Sequence, residues 1–170
     1  DIDAGEIVDY VGGLEDIENK VVRAVGDPVA RFAEDHLRKL RVIRFAARVG
    51  GVLHEDTERA LMADPSLTGV SPERVRDEFL KCVQSARSVT ELLRMIRVFD
   101  IWRHVFPGLI MSGSCTDTRN APVLLAYLLE DNEPSVVAKA LNALKYTSDE
   151  VTQVTFLLRL RELNVENAYK

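Results

Sequence analysis

Two acids and five cations lie close together in residues 34–48 of this chain. Glu34 and Asp35 come first, and no acid stands among the cations that follow, which are Arg38, Lys39, Arg41, Arg44 and Arg48. At about 100° per residue, the four arginines fall along one side of a helix, and the apolar residues between them take the other. The guanidinium group is always charged, and its planar set of donors suits phosphates and base edges. The row therefore predicts contact with a nucleotide or a nucleic acid, although a solvated face of an amphipathic helix has the same pattern.

Asp35 and Arg38 could read a nucleobase together, because residues three apart on a helix point the same way. The carboxylate only accepts hydrogen bonds and the guanidinium only donates them. Cytosine and adenine each present an amino donor beside a ring-nitrogen acceptor, whereas uracil and guanine present the reverse order. A site with this pair would accept CTP and ATP and reject the other two nucleotides, since mismatched buried polar groups are costly. An ordinary ion pair in the first turn of a helix is the alternative.

The segments around this pair carry a family resemblance. They are GEIVD at residues 5–9, GGLEDIENKVVRAVGDP at 12–28, RFAED at 31–35 and GVSPERVRDEF at 69–79. In order and spacing they resemble bacterial-type, class II CCA-adding tRNA nucleotidyltransferases and their poly(A) polymerase relatives. Beyond residue 79 only the pattern of helices is similar.

This resemblance implies that the chain is the neck and body portion of a template-independent RNA nucleotidyltransferase that adds CMP and AMP to tRNA 3′ ends. Asp35 and Arg38 match the family's amino-acid template for incoming CTP or ATP, and Glu34 matches the residue that orients the arginine. Arg41 corresponds to a position near the nucleotide phosphates or the template network, and Arg74 to the supporting network. The predicted nucleotide-binding residues are Glu34, Asp35, Arg38, Arg41, Arg44 and Arg74.

Some positions depart from the family's pattern. His36 stands where Pro or Ala is more usual, Lys39 where an apolar residue is common, and Tyr10-Val11 where Pro-Phe often precedes the glycines. These departures bear on the fine nucleotide preference rather than on the resemblance.

The metal ligands of the family are not matched. In the family, a Gly-rich turn and an Asp-x-Asp pair hold the divalent metals upstream of the segments found in this chain. Asp1-Ile2-Asp3 has the right residue types, but it directly precedes residues 5–9, which correspond to a late hairpin of the nucleotidyltransferase sheet. The resemblance implies Mg²⁺ in the parent enzyme, bound by the head domain, and no catalytic or metal-binding residue in this fragment. We expect the fragment alone to be inactive, because nucleotidyl transfer needs carboxylates around the metal.

Composition is that of an ordinary globular protein. The chain has 170 residues, of which 46% are hydrophobic and 29% charged, and its net charge of -5 argues against indiscriminate binding of polyanions.

Cys82 and Cys115 have no spacing typical of zinc or redox sites and are interpreted as reduced core thiols. Nothing resembles a signal peptide or a membrane span, so we expect a cytoplasmic location, or an organelle matrix if a transit segment has been lost.

The predicted fold is mainly α, with a short β-hairpin remnant of the nucleotidyltransferase head before an all-helical neck and body. Residues 5–10 and 20–25 read as strands, and residues 14–19 as one helical turn. Helices are predicted at 28–34, 36–50, 55–63, 72–86, 89–97, 100–105, 118–130, 134–145 and 148–163. A predicted loop at residues 106–114 divides the helical part, so that residues 1–27 are the end of the head, 28–107 the neck and 108–170 the body, in the terms that the resemblance supplies.

Other function classes stay open at this stage. A poly(A) polymerase relative is the nearest, because the same motif serves ATP. A non-catalytic helical RNA-binding module and an all-helical interaction scaffold are the others.

No histidine forms a His-Asp dyad, and His36 is interpreted as a surface residue at a helix start. Trp102 and Phe106 are interpreted as core rather than as a platform for base stacking.

Overall fold

The computed structural model describes residues 8–113 and 116–168, with side chains to residue 161. The described chain is mainly α-helical, as predicted. The helices are α1 (Gly13–Glu18), α2 (Pro28–Glu34), α3 (Arg38–Val49), α4 (Glu55–Ala63), α5 (Pro72–Ser85), α6 (Val89–Val98), α7 (Trp102–Val105), α8 (Ala121–Leu128), α9 (Pro134–Ala143) and α10 (Ser148–Ala168). Two short strands, β1 (Val21–Val22) and β2 (Val52–Leu53), complete the described secondary structure.

The helix starts follow local capping chemistry. The side chains of Asp27, Ser71 and Ser88 each accept a hydrogen bond from a backbone N–H of the helix that follows. Helix α10 begins at Ser148, as in the predicted range 148–163, and is capped by Thr147. Thr147 and Glu150 exchange hydrogen bonds with each other's backbone N–H groups, which is a capping box.

The partner of strand β1 corrects the sequence prediction. Val21–Val22 pairs in parallel with Val52–Leu53, so the pair is not a hairpin. Residues 8–10 lie outside any strand, and the rest of the first predicted strand, residues 5–7, lies outside the described residues. Parallel strands need a long crossover, which α2 and α3 provide in this fold. Gly51 permits the close approach, because a Cβ at this position would lie 1.9 Å from the Lys20 carbonyl oxygen.

One continuous hydrophobic core connects the helices from α2 to α10. Trp102 and Phe106 are buried within it, as predicted, and their ring centroids are 4.6 Å apart. Phe106 also lies 5.0 Å from the ring of Phe79 on α5 and 6.5 Å from that of Tyr146. Since the core is shared across residue 107, the division into neck and body stays a prediction.

Helix α3 is the central positioning element for the predicted site. Its apolar face is buried as predicted and consists of Leu40, Val42, Ile43, Ala46 and Ala47. This face packs mainly against α5, where Cys82 is buried, and against α6. Cys115 and Asp1-Ile2-Asp3 lie outside the described residues. None of the helices in the described ranges has the length and apolar character of a membrane span.

Candidate nucleotide-binding site

Asp35 lies in a tight turn between α2 and α3 rather than on a helix shared with Arg38. Its backbone is extended, with φ -153° and ψ 102°. Its side chain accepts a hydrogen bond from the N–H of Leu37 at 3.1 Å, and its carbonyl accepts one from the N–H of Arg38 at 3.0 Å. The predicted helices, 28–34 and 36–50, already leave Asp35 between them, but the i,i+3 helical spacing expected to align its side chain with that of Arg38 does not apply, because Asp35 caps the turn that leads into α3.

Asp35 and Arg38 bind different partners. Arg74 on α5 donates to the carboxylate of Asp35 at 2.9 Å. Arg38 donates to the carboxylate of Glu34 at 2.6 Å and to the carbonyl of Arg31 at 3.1 Å. Among the described contacts there is no ion pair between Asp35 and Arg38, so the simple i,i+3 pair that was the alternative at the sequence level is absent. Each group is instead held by a partner of opposite charge beside the turn.

The carboxylates of Glu34 and Asp35 are both ionised at neutral pH. Burial raises the pKa of Asp35, but hydrogen bonds from the Leu37 N–H and the Arg74 guanidinium outweigh it, and the pKa lies below its ordinary value. The hydrogen bond from Arg38 is the main reason why the pKa of Glu34 is lowered. Asp35 is therefore a pure acceptor and keeps 23% of its side-chain surface exposed, beside an Arg38 that is 30% exposed.

The arginine face of α3 converges on a buried acid that the sequence did not reveal. Glu78 on α5, whose side chain is only 4% exposed, accepts a hydrogen bond from Arg44 at 2.6 Å. Its second oxygen lies 4.0 Å from Nε of Arg41, which stays 44% exposed. Arg48 is exposed, with no ion pair in the described part of the chain. The four arginines thus differ: Arg44 is largely compensated by Glu78, whereas Arg41 presents much of its surface to solvent.

Lys39 lies on the buried side of α3, although the sequence placed it in the cationic cluster. Its side chain is 1% exposed, and Nζ donates to the Asp64 carboxylate at 2.8 Å and to the Ser66 carbonyl at 2.9 Å. Nζ also lies 3.0 Å from Nδ1 of His36. The periodicity of the helix could have identified this position, since Lys39 is one residue from Leu40 and four from Ile43.

His36, predicted as a surface residue, is partly buried. Its side chain is 24% exposed, and Nδ1 lies 3.1 Å from the carbonyl oxygen of Ser66. The ring occupies the turn between Asp35 and Arg38 and faces the loop after α4, where its Nδ1 either accepts from Lys39 or donates to Ser66, according to the tautomer. His36 therefore belongs to the scaffold of the turn.

Replacing Asp64 by Asn should lower the free energy of unfolding by about 1–2 kcal/mol at pH 7, because buried Lys39 loses a charged acceptor. Asp64 is half exposed, which screens the effect. Hydrogen bonds from Lys39 and Ser66 hold the pKa of Asp64 well below its ordinary 3.8. The stabilisation is therefore present above that ordinary value and is lost as the pH falls towards the lower, folded-state pKa.

Urea unfolding of the wild-type chain and of Asp64→Asn at pH 7 and at pH 3 checks this prediction. The difference in the free energy of unfolding should shrink at the lower pH. A difference that is the same at both pH values would contradict the role of Asp64 as the titrating partner of Lys39.

The described residues do not fit a divalent metal. Among the described side chains, residues 8–113 and 116–161, there is no group of three or more His, Cys, Asp or Glu placed to hold one. The acids of the site are each used by a neighbouring cation: Glu34 by Arg38, Asp35 by Arg74, and Glu78 by Arg44. A divalent metal in the parent protein would therefore need ligands from outside the described residues.

Cavities lie elsewhere in the fold. One of about 660 Å³ is bordered by the N-terminal segment, including residues 20–26, and by His54, Asp56 and Thr57. Another of about 630 Å³ lies between the end of α3, β2 and α6. Neither is lined by Asp35 or Arg38, whose exposed edges lie on the surface of the described fold.

Sequence comparison finds similarity to known proteins over part of the chain. Residues 53–111 match a family model described as the probable RNA and SrmB-binding site of polymerase A. The CCA-adding enzyme of Bacillus subtilis is 44% identical over 94 residues, which are 55% of this chain and 24% of that protein. Poly(A) polymerase I of Haemophilus influenzae is 35% identical over 102 residues, which are 59% of this chain and 22% of that protein. The matched stretch is thus about a quarter of the length of these relatives.

Structural comparison agrees with the sequence matches. The Bacillus stearothermophilus CCA-adding enzyme in complex with CTP has a TM-score of 0.73, with 26% identity, over 92% of this chain and 42% of that one. A tRNA-processing enzyme with CTP has a TM-score of 0.75 over 98% of this chain and 51% of that one. Its identity is 22%, so this second match supports the fold alone. Over part of its sequence and in its fold, the chain is similar to CCA-adding enzymes and poly(A) polymerases.

Proposed function

We propose that this chain is the nucleotide-selecting neck and the body of a tRNA nucleotidyltransferase that adds CMP and AMP to tRNA 3′ ends. The observation that carries the proposal is the turn at residues 35–38. It presents an ionised carboxylate and a guanidinium, each partly exposed and each fixed by its own partner. Similarity to CCA-adding enzymes, one of them solved with CTP, supports the proposal.

The base would be read by hydrogen bonds at this turn. Asp35 would accept a hydrogen from the exocyclic amino group of cytosine or adenine, and Arg38 would donate to the neighbouring ring nitrogen. Uracil would place its carbonyl oxygen against the carboxylate and its ring N–H against the guanidinium, and neither contact is a hydrogen bond. Glu34 and Arg74 fix the two groups before the nucleotide arrives, which reduces the ordering cost of binding.

The triphosphate and the RNA would use the arginines of α3. Arg41 is the best placed for the phosphates, because it is 44% exposed and its nearest acid, Glu78, is 4.0 Å away. Arg44 donates to Glu78 at 2.6 Å, so it would make the electrostatic potential around the phosphates more positive without contacting them. The tRNA 3′ end would then lie near the same turn, since the terminal hydroxyl must meet the α-phosphate of the bound nucleotide.

The parent protein would require Mg²⁺, bound outside the described residues. Divalent ions align the attacking hydroxyl and neutralise the triphosphate in nucleotidyl transfer. We also propose that the protein acts in the cytoplasm, where tRNA and nucleotides meet.

A poly(A) polymerase relative is the second candidate. The observation that favours it is the 35% identity to poly(A) polymerase I of Haemophilus influenzae over 59% of this chain. The same carboxylate and guanidinium would read adenine, so the turn alone supports both activities.

The test is extension of a tRNA that lacks its CCA end by the complete protein that contains this chain. Each nucleoside triphosphate is supplied alone and in mixture, with Mg²⁺, and products are resolved at single-nucleotide length. We expect addition of two C and one A followed by termination, and no incorporation of U or G. Long A tails would support the second candidate instead. Absence of incorporation, or equal use of all four nucleotides, would contradict the proposed function.

A further inference from the structure

A buried lysine connects the predicted template turn to a distant loop. Lys39 Nζ has three polar neighbours: the Asp64 carboxylate at 2.8 Å, the Ser66 carbonyl at 2.9 Å and Nδ1 of His36 at 3.0 Å. Asp64 and Ser66 belong to the loop between α4 and α5. His36 lies inside the turn itself, between Asp35 and Arg38. The ammonium group therefore contacts two chain segments, and His36 in one is 30 residues from Ser66 in the other.

The loop that Lys39 binds leads directly into α5, which carries Arg74. Arg74 lies near the start of α5 and donates to Asp35 at 2.9 Å. The turn and α5 are therefore joined twice, once through Arg74 and Asp35 and once through Lys39 and the loop residues. Two attachments restrict rotation of the turn relative to α5, whereas either one alone would act as a pivot.

Packing alone does not explain a lysine at this position. Burial of an ammonium group carries a desolvation penalty, and replacing a buried ion pair by apolar groups is often neutral or stabilising. The lysine gives directional bonds that an apolar side chain of similar length cannot give. Those bonds set the position of the loop and of His36 relative to α3. An apolar contact has no preferred direction, so it would not fix the loop and His36 in one position.

We propose that Lys39 is a positioning residue for base selection, acting with Asp64 and His36. This inference rests on the proposed function, because it concerns the same turn. Lys39 does not touch the nucleotide, since its side chain is 1% exposed. It fixes the backbone of the turn, so that the separation between the Asp35 carboxylate and the Arg38 guanidinium matches one base edge.

The experiment compares Lys39→Met and Asp64→Asn with the wild type in the complete protein. Methionine keeps the length of the side chain and removes the charge, and Asp64→Asn leaves the lysine in place. The readout is the ratio of kcat/KM for CTP to that for UTP on a tRNA that lacks its CCA end, measured together with the melting temperature. Both variants should lower the ratio by about tenfold, because a small displacement of the reading groups weakens discrimination more than binding. Asp64→Glu, which restores the carboxylate, should recover most of the ratio.

Arg59→Met is the matched control. Arg59 forms an exposed ion pair with Glu55 and Asp56 on α4, so this variant removes a cation of similar size without touching the turn. It should leave the ratio unchanged.

The outcomes separate this inference from the proposed function. An unchanged ratio in Lys39→Met, with a ratio that falls in Asp35→Ala, would overturn the positioning role and leave the template intact. A ratio unchanged in Asp35→Ala would overturn the proposed function itself. A drop in melting temperature without a change in ratio would assign Lys39 a purely structural role and would also overturn the inference. If Lys39→Met does not fold, Asp64→Asn decides, because Asp64 is half exposed and its substitution leaves no cavity.

Discussion

Asp35→Ala and Arg38→Ala should each reduce the preference of the complete protein for CTP over UTP by about 100-fold. The wild-type pair penalises uracil because an acceptor would face the carboxylate and a donor would face the guanidinium. Removing either group removes half of that penalty, and water can then satisfy the mismatched edge of the base. Incorporation of CTP should fall as well, but by less than the preference does, since the triphosphate contacts remain. Single-turnover rates on a tRNA without its CCA end, with each nucleotide supplied alone, measure both quantities.

Arg48→Ala is the control for this prediction. Arg48 lies on the same helix as Arg38, is exposed, and forms no ion pair in the part of the chain that the structure describes. It removes the same charge as Arg38→Ala, so any general electrostatic effect on nucleotide binding appears in both variants. A loss of preference in Arg48→Ala equal to that in Arg38→Ala would contradict base reading by Arg38.

Glu78→Ala should lower the free energy of unfolding of this chain by about 3 kcal/mol, because it leaves Arg44 without its buried partner. The carboxylate is 4% exposed and lies 2.6 Å from Nε of Arg44, whose side chain is 19% exposed. Glu78→Gln keeps the shape and one acceptor, so it should cost less. Urea unfolding followed by circular dichroism measures the difference in free energy.

Glu73→Ala controls for the loss of an acid from helix α5, since Glu73 is exposed in the first turn. It should change the free energy of unfolding by no more than about 0.5 kcal/mol. If Glu78→Ala were as stable as Glu73→Ala, the pairing of Glu78 with Arg44 would contribute nothing to the fold, and its stabilising role would be disproved.

The helices of this protein were predictable because their signals are local. The apolar face of α3 follows from the helical period, and the start of α2 follows from Asp27 before Pro28. The prediction of 28–34 for α2 agrees with the observed Pro28–Glu34, and that of 55–63 for α4 with Glu55–Ala63. The end of α3 was predicted at residue 50, and Gly50 caps it with a positive φ of 64°.

The pairing partners were not predictable, because they are set by packing across the fold. The valines at 21–22 indicated a strand, but their pairing with residues 52–53 depends on how α2 and α3 fold back. The helical period places Glu78 on the buried face of α5, four residues before Cys82, but its pairing with Arg44, 34 residues away in sequence, has no local signal. The same holds for the contact of Lys39 with Asp64.

At the predicted template, the residue types were predictable and the backbone was not. Glu34 beside Arg38 and Arg74 beside Asp35 are contacts that the family resemblance had placed in one network, and the structure brings these residues together. The extended backbone of Asp35, however, follows from its role as a cap of the next turn, which competes with continuation of the helix. Nucleotide binding by these residues remains a prediction.

A crystal structure of the complete protein with bound CTP tests base reading by the turn most directly. We predict that the amino group of cytosine donates to the Asp35 carboxylate and that the Arg38 guanidinium donates to the ring nitrogen, each within about 3.2 Å. Glu34 and Arg74 should keep their present contacts with these two residues. A cytosine read by other side chains, with Asp35 and Arg38 bonded only to Arg74 and Glu34, would contradict base reading by this pair.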